Sequence, residues 1–103
     1  MKRTKVKFDS AKLLYSSELM RALAHPLRLK ILEHIDSHGT INVNKIYHTL
    51  KIEQSITSQH LRILRLAGVV NAKREGKFML YDINYDIVKK AEFAVNRFLK
   101  KAS

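Results

Sequence analysis

Apolar residues between Asp9 and Leu23 fall at Leu13, Leu14, Tyr15, Leu19, Met20 and Leu23, a spacing that predicts an amphipathic helix. Pro26 suits the first position of a second helix, where its missing N–H and fixed φ cost nothing. That helix puts Leu27, Ile31 and Ile35 on one stripe flanked by Leu32, and it stops near Gly39. A short third helix is predicted over Val43–Leu50. A fourth runs from Gln54 to Ala67 and ends at Gly68, with Ile56, Thr57, His60, Leu61, Ile63 and Leu64 expected inward.

After Gly68 the pattern changes. Val69–Arg74 and Lys77–Ile83 are rich in β-branched, aromatic and other apolar residues, and Glu75-Gly76 between them is a two-residue hairpin signal. On the second strand Met79, Tyr81 and Ile83 share one face, which leaves Phe78 and Leu80 on the other. From Tyr85 onward Ile87, Val88, Ala91, Val95, Phe98 and Leu99 return to helical spacing. The expected order is helix-helix-helix-helix-hairpin-helix, mainly α with a β-hairpin wing. One domain is expected over 9–103, preceded by a flexible basic arm over 1–8.

Charge narrows the function. The 103 residues carry 20 Lys+Arg against 9 Asp+Glu, a net charge of +11 that no fold requires and that points to a polyanionic partner. There is no cysteine, which excludes disulfides, thiolate metal sites and a cysteine nucleophile. No apolar run approaches the length of a membrane span, and MKRTKVKF is not followed by the apolar core of a secretory signal. A cytoplasmic protein is expected.

Three features converge on double-stranded DNA. A short helix, a tight Lys51–Glu53 turn and a helix opening QSITSQHLR place Gln54, Ser55, Ser58, Gln59 and Arg62 at its start and on its outward face. A recognition helix needs such groups, because small donors and acceptors near its N-terminus reach base edges in the major groove. An ordinary solvated helix shows the same polarity, so the face is not sufficient by itself. Lys73, Arg74 and Lys77 surround the hairpin tip, as suits a wing lying along the phosphate backbone. Between residues 45 and 77 the only acids are Glu53 and Glu75, against basic side chains throughout. The combination predicts a winged helix-turn-helix.

LAHPLRLKIL (Leu23–Leu32), SQHLRILRLAGVV (Ser58–Val70) and REGKFMLY (Arg74–Tyr81) are similar to the ArsR/SmtB-type repressors, and the resemblance runs from about Lys12 to Leu99. It implies a homodimer whose terminal helices pack together, two recognition helices on one face of an operator, and repression released by an effector. Where metal-sensing members carry Cys-x-Cys at the start of the third helix, this chain has Asn42-Val43-Asn44. Where others place Asp and His ligands on the last helix, it has Tyr85, Ile87, Phe98 and Lys101. Neither set offers the thiolates or imidazoles that a transition metal selects, so no metal and no cofactor are expected. The input is then a small molecule, a partner protein, or nothing. Thr57 replaces the family's usual aliphatic residue and is expected near the core, its hydroxyl bonded back along the helix.

The apolar stripes at Leu13, Leu19 and Met20 and at Ile87, Ala91, Val95 and Phe98 exceed what so short a chain can cover, and predict the subunit interface. His34 and His38 lie four apart on the second helix, a spacing that suits two ligands, but no third donor is evident. Near a helix C-terminus they read as a surface pair. His60 reads as structural, and His25 as closing the start of the second helix. Scattered acids and the absence of a glycine cluster argue against an enzyme. The alternative is an architectural or RNA-binding protein that reads only charge and shape.

Overall fold

The computed structural model describes Ser10–Ala102, without the side chains of residues 10, 12, 13 and 98–102. The expected arm over 1–8 therefore lies outside the described residues, as do the side chains of Leu13 and Phe98. Five helices and three strands follow in the order α1 (Ser10–Leu23), α2 (Pro26–His38), β1 (Thr40–Asn42), α3 (Val43–Leu50), α4 (Gln54–Leu66), β2 (Val70–Glu75), β3 (Phe78–Ile83) and α5 (Tyr85–Ala102).

Local chemistry sets the boundaries. His25 caps α2, its Nδ1 accepting the Leu27 N–H at 3.1 Å, and Pro26 occupies the position where a missing donor is harmless. Asn42 caps α3 by accepting the Lys45 N–H at 2.9 Å. At the end of α4 the Val69 N–H bonds to the Leu64 carbonyl at 2.9 Å and the Gly68 N–H to the Arg65 carbonyl at 3.0 Å. This reversal needs a left-handed residue, and Gly68 supplies it with φ of 80°.

The sheet is antiparallel, in the order β1-β3-β2. Sequence periodicity misses β1, because three residues are too few to show alternation. Its Ile41 is nonetheless buried and pairs with Tyr81. The hairpin is also one residue out of step with expectation. Glu75 pairs with Phe78, so the loop is Gly76-Lys77 rather than Glu75-Gly76. Glycine thus stands first in the loop at φ of 62°, as a type II′ hairpin requires.

Ile31 and Ile35 of α2, Ile46 of α3, Leu61 and Leu64 of α4, Val69 in the turn after α4 and Val70 at the start of β2 are fully or almost fully buried. Each such side chain contributes about 1.5–3 kcal/mol relative to exposure. Thr57 is buried as expected, and its hydroxyl donates to the Glu53 carbonyl at 3.0 Å. Ile56 and Ile63 are not. Thr57, Leu61 and Leu64 define the inward arc of α4, and at 100° per residue both isoleucines fall well round the helix from it, 37% and 41% exposed.

Candidate nucleic-acid interface

With its apolar arc held by the core, α4 turns Gln54, Ser55, Ser58, Gln59 and Arg62 to solvent. Spacing of one, three and four residues places Ser55, Ser58, Gln59 and Arg62 on adjoining turns of one face. Glu53 makes no side-chain hydrogen bond to the first turn. The turn before α4 is set by Lys51, whose φ of 55° and ψ of 47° end α3 in the left-handed region.

In the wing, Lys73, Arg74 and Lys77 are all exposed. Lys73 is paired with Leu80 and Arg74 with Met79, so as consecutive strand residues they point to opposite faces of the ribbon. Lys77 sits in the loop with its Nζ 5.7 Å from the Phe78 ring centroid, a cation–π contact that partly shields an exposed phenylalanine. Leu80, on the same strand face as Phe78, is half-buried. The polar face of α4 and the basic ribbon tip are thus joined through the β2 residues that follow α4.

The apolar stripes of α1 and α5 divide in two. Leu19 and Ala91 are buried within the protomer and present almost no surface to a second subunit, which corrects their expected place in an interface. Met20 and Ile87 are half-buried, and Val95 is 42% exposed. Periodicity did not single out Leu14 and Tyr15 as interface residues, or Phe93 at all, yet all three are exposed. Met20 and Val95 line an open groove of about 480 Å³ with Leu23, Leu29, Leu32 and Val88.

His34 and His38 do come together, their ring centroids 4.5 Å apart. Burial, and then the neighbouring His38, hold His34 below its ordinary value, and its Nε2 is buried without a hydrogen-bond partner. His38 Nδ1 lies 2.9 Å from the His34 carbonyl. Among the described residues no group of three or more His, Asp or Glu side chains gathers as metal ligands would. Nearby, the Tyr85 hydroxyl donates to the Asp36 carboxylate, which ties α5 to α2 and raises the phenol above its ordinary value. Two further residues escaped the sequence reading as a pair, Arg28 and His60. They stand 32 positions apart and meet beneath α4.

Comparison with known proteins agrees with this architecture. Residues 25–72 match the model of the bacterial regulatory protein arsR family. The transcriptional repressor PagR of Bacillus anthracis is 41% identical over 66% of this chain and 68% of its own length. The PagR crystal structure superposes with a TM-score of 0.68 at 34% identity, covering 87% of this chain and 99% of that one. A homodimeric winged helix-turn-helix DNA-binding domain from Mycobacterium bovis, solved by NMR, gives a TM-score of 0.75 at 26% identity over 97% and 91% of the two chains. The relatives are transcriptional regulators and not enzymes. The chain belongs to the bacterial ArsR family of winged helix-turn-helix DNA-binding transcriptional regulators.

Proposed function

We propose that the protein is a repressor that binds an inverted-repeat operator as a homodimer, without the ligand sets of the metal-sensing members of the family it resembles. The observation that carries the reading is the two-sidedness of α4: a fully buried arc of Thr57, Leu61 and Leu64 opposite the polar set Ser55, Ser58, Gln59 and Arg62. A rigid helix with short hydroxyls at its N-terminal end and longer amide and guanidinium groups behind them suits direct readout in the major groove. Arg74, Lys77 and Lys73 then neutralise phosphates, which adds affinity without sequence preference. PagR is described as a repressor, and the M. bovis domain as homodimeric.

One recognition helix contacts too few base pairs to select a site from a genome. A twofold pair places two such helices about 34–36 Å apart on the duplex and demands a symmetric site. Leu14, Tyr15, Phe93 and Val95, with half-buried Met20 and Ile87, supply the apolar surface for that pairing. At the position of the Cys-x-Cys, the Asn42 oxygen is already engaged in capping α3, which supports a reading without metal.

The test is to select bound fragments from genomic DNA with the purified protein and footprint them. Two protected half-sites about one helical turn apart are expected. Uniform protection of any duplex, or tighter binding to RNA, would instead establish the architectural or RNA-binding alternative.

A further inference from the structure

Among the described residues Arg28, on α2, is a buried charged side chain, only 9% exposed. A buried guanidinium must place its hydrogens on acceptors. Nε donates to the Ala22 carbonyl at 2.7 Å and Nη2 to the Arg21 carbonyl at 3.1 Å. Both are last-turn carbonyls of α1, which have no partner within their own helix and which favour a cation. Nη1 points elsewhere, to Nδ1 of His60 on α4 at 3.4 Å. One side chain thus touches the end of α1 and the inner edge of the helix that carries Gln59 and Arg62.

The chemistry of this contact is restrictive. A guanidinium can only donate, so His60 must accept through Nδ1, which requires a neutral ring with its proton on Nε2. A second proton would set donor against donor and cation beside cation. The titratable and charged groups acting on His60 are His25, whose ring centroid is 4.8 Å away, and Arg28; both precede or lie on α2, and both oppose a proton. Burial acts in the same direction and first in size, so His60 sits below its ordinary value of 6.5.

We propose that Arg28 and His60 are positioning residues for DNA reading: neutral His60 accepts from Arg28 and fixes α4 against the end of α1, and protonating His60 releases that tie and weakens sequence-specific binding. The inference rests on the operator reading above. It extends it by naming what aims the helix, since a recognition element displaced by a fraction of an ångström loses its directional hydrogen bonds.

Two experiments test it. Ring-nitrogen NMR of the DNA-free protein near neutral pH should show His60 neutral with the proton on Nε2. A proton on Nδ1 there would overturn the contact. Next, affinities for a selected genomic duplex and for a random duplex are compared at constant salt from about pH 7.5 down through the pH at which the same ring-nitrogen spectra show His60 taking its second proton, which lies below histidine's ordinary value. For the wild type the ratio of the two should fall by about tenfold, the order of one lost base contact. His60→Gln, whose amide oxygen still accepts but does not titrate, should make the ratio independent of pH. His25→Asn, which retains a capping acceptor, should leave the pH dependence in place. A His60→Gln curve that follows the wild type, or a flat curve for His25→Asn alone, would overturn the proposal. A wild type without sequence preference at any pH would defeat the operator reading and the DNA half of this inference with it, while the ring-nitrogen spectrum still decides the Arg28–His60 contact.

Discussion

On α4 the polar residues Gln54, Ser55, Ser58, Gln59 and Arg62 face solvent, whereas α1 and α5 turn Leu14, Tyr15, Phe93 and Val95 outward. Both surfaces lie on amphipathic helices whose inner residues enter the same core. They differ in what water does to them. The polar face is solvated at no cost and waits for a ligand that offers hydrogen bonds in register. The apolar face loses about 25 cal/mol for each Å² left in water, so it gains simply by being covered. In the repressor reading the two are complementary: the apolar face sets how many recognition helices there are and how far apart, and the polar face sets what each one reads.

The largest effect should come from spoiling the apolar face while leaving the polar one intact. Val95→Asp would place an unpaired charge in the proposed dimer interface. Sedimentation should then find monomers that keep their helicity but lose operator affinity far more than affinity for random DNA. Full operator affinity from an unmodified protein that sediments as a monomer at micromolar concentration would sink the comparison. Spoiling the polar face should cost less. Gln59→Ala or Arg62→Ala should each lose about 1–3 kcal/mol on a selected duplex, measured by titration, with smaller losses on random DNA. Equal losses on both would make these side chains backbone contacts.

Neutralising Arg74 and Lys77 should weaken binding to every sequence alike, and lower the slope of log affinity against log salt by about 0.9 per lost phosphate contact. An unchanged slope would take the wing off the DNA. The smallest effect concerns the junction between the faces. His60 is held below its ordinary value by burial, then by His25 and Arg28, and His34 by burial and then by His38. The unfolded chain therefore binds more protons than the folded one once pH drops through about 6.5, and stability falls from there until the folded values are passed. Urea midpoints at about pH 7.5 and pH 5.5 should show that loss, and His60→Gln should remove its share.

Features whose cause is local were legible. The limits of α3, the Pro26 start of α2, and the role of Thr57 all follow from neighbours a few positions away. The polar set of α4 was legible because helical spacing alone separates it from Leu61 and Leu64. Ile56 and Ile63 were misplaced because composition treats every isoleucine as core, whereas the core reaches only one arc of the helix. Leu19 and Ala91 show the converse limit: a stripe on a helix does not say whether its own chain or another covers it. β1 and the Arg28–His60 contact depend on segments about 40 and 32 positions apart, and no periodicity encodes such meetings. The hairpin was found but displaced by one residue, since a lone glycine fits either loop position.

Asn42 belongs to two structures at once. It is the last residue of β1, in register with Leu80 of the wing, and it is also the cap of α3. The ribbon is therefore not a flap hinged at its base: a displacement of β3 pulls on the residue that starts the helix-turn-helix. In hydrogen-exchange experiments, the amides of β3 that face β1 and the first turn of α3 should open together as one cooperative unit, while those near Gly76 exchange independently. Anchoring the tip on a phosphate backbone would then slow exchange in α3, a helix that begins where the sheet's edge strand ends.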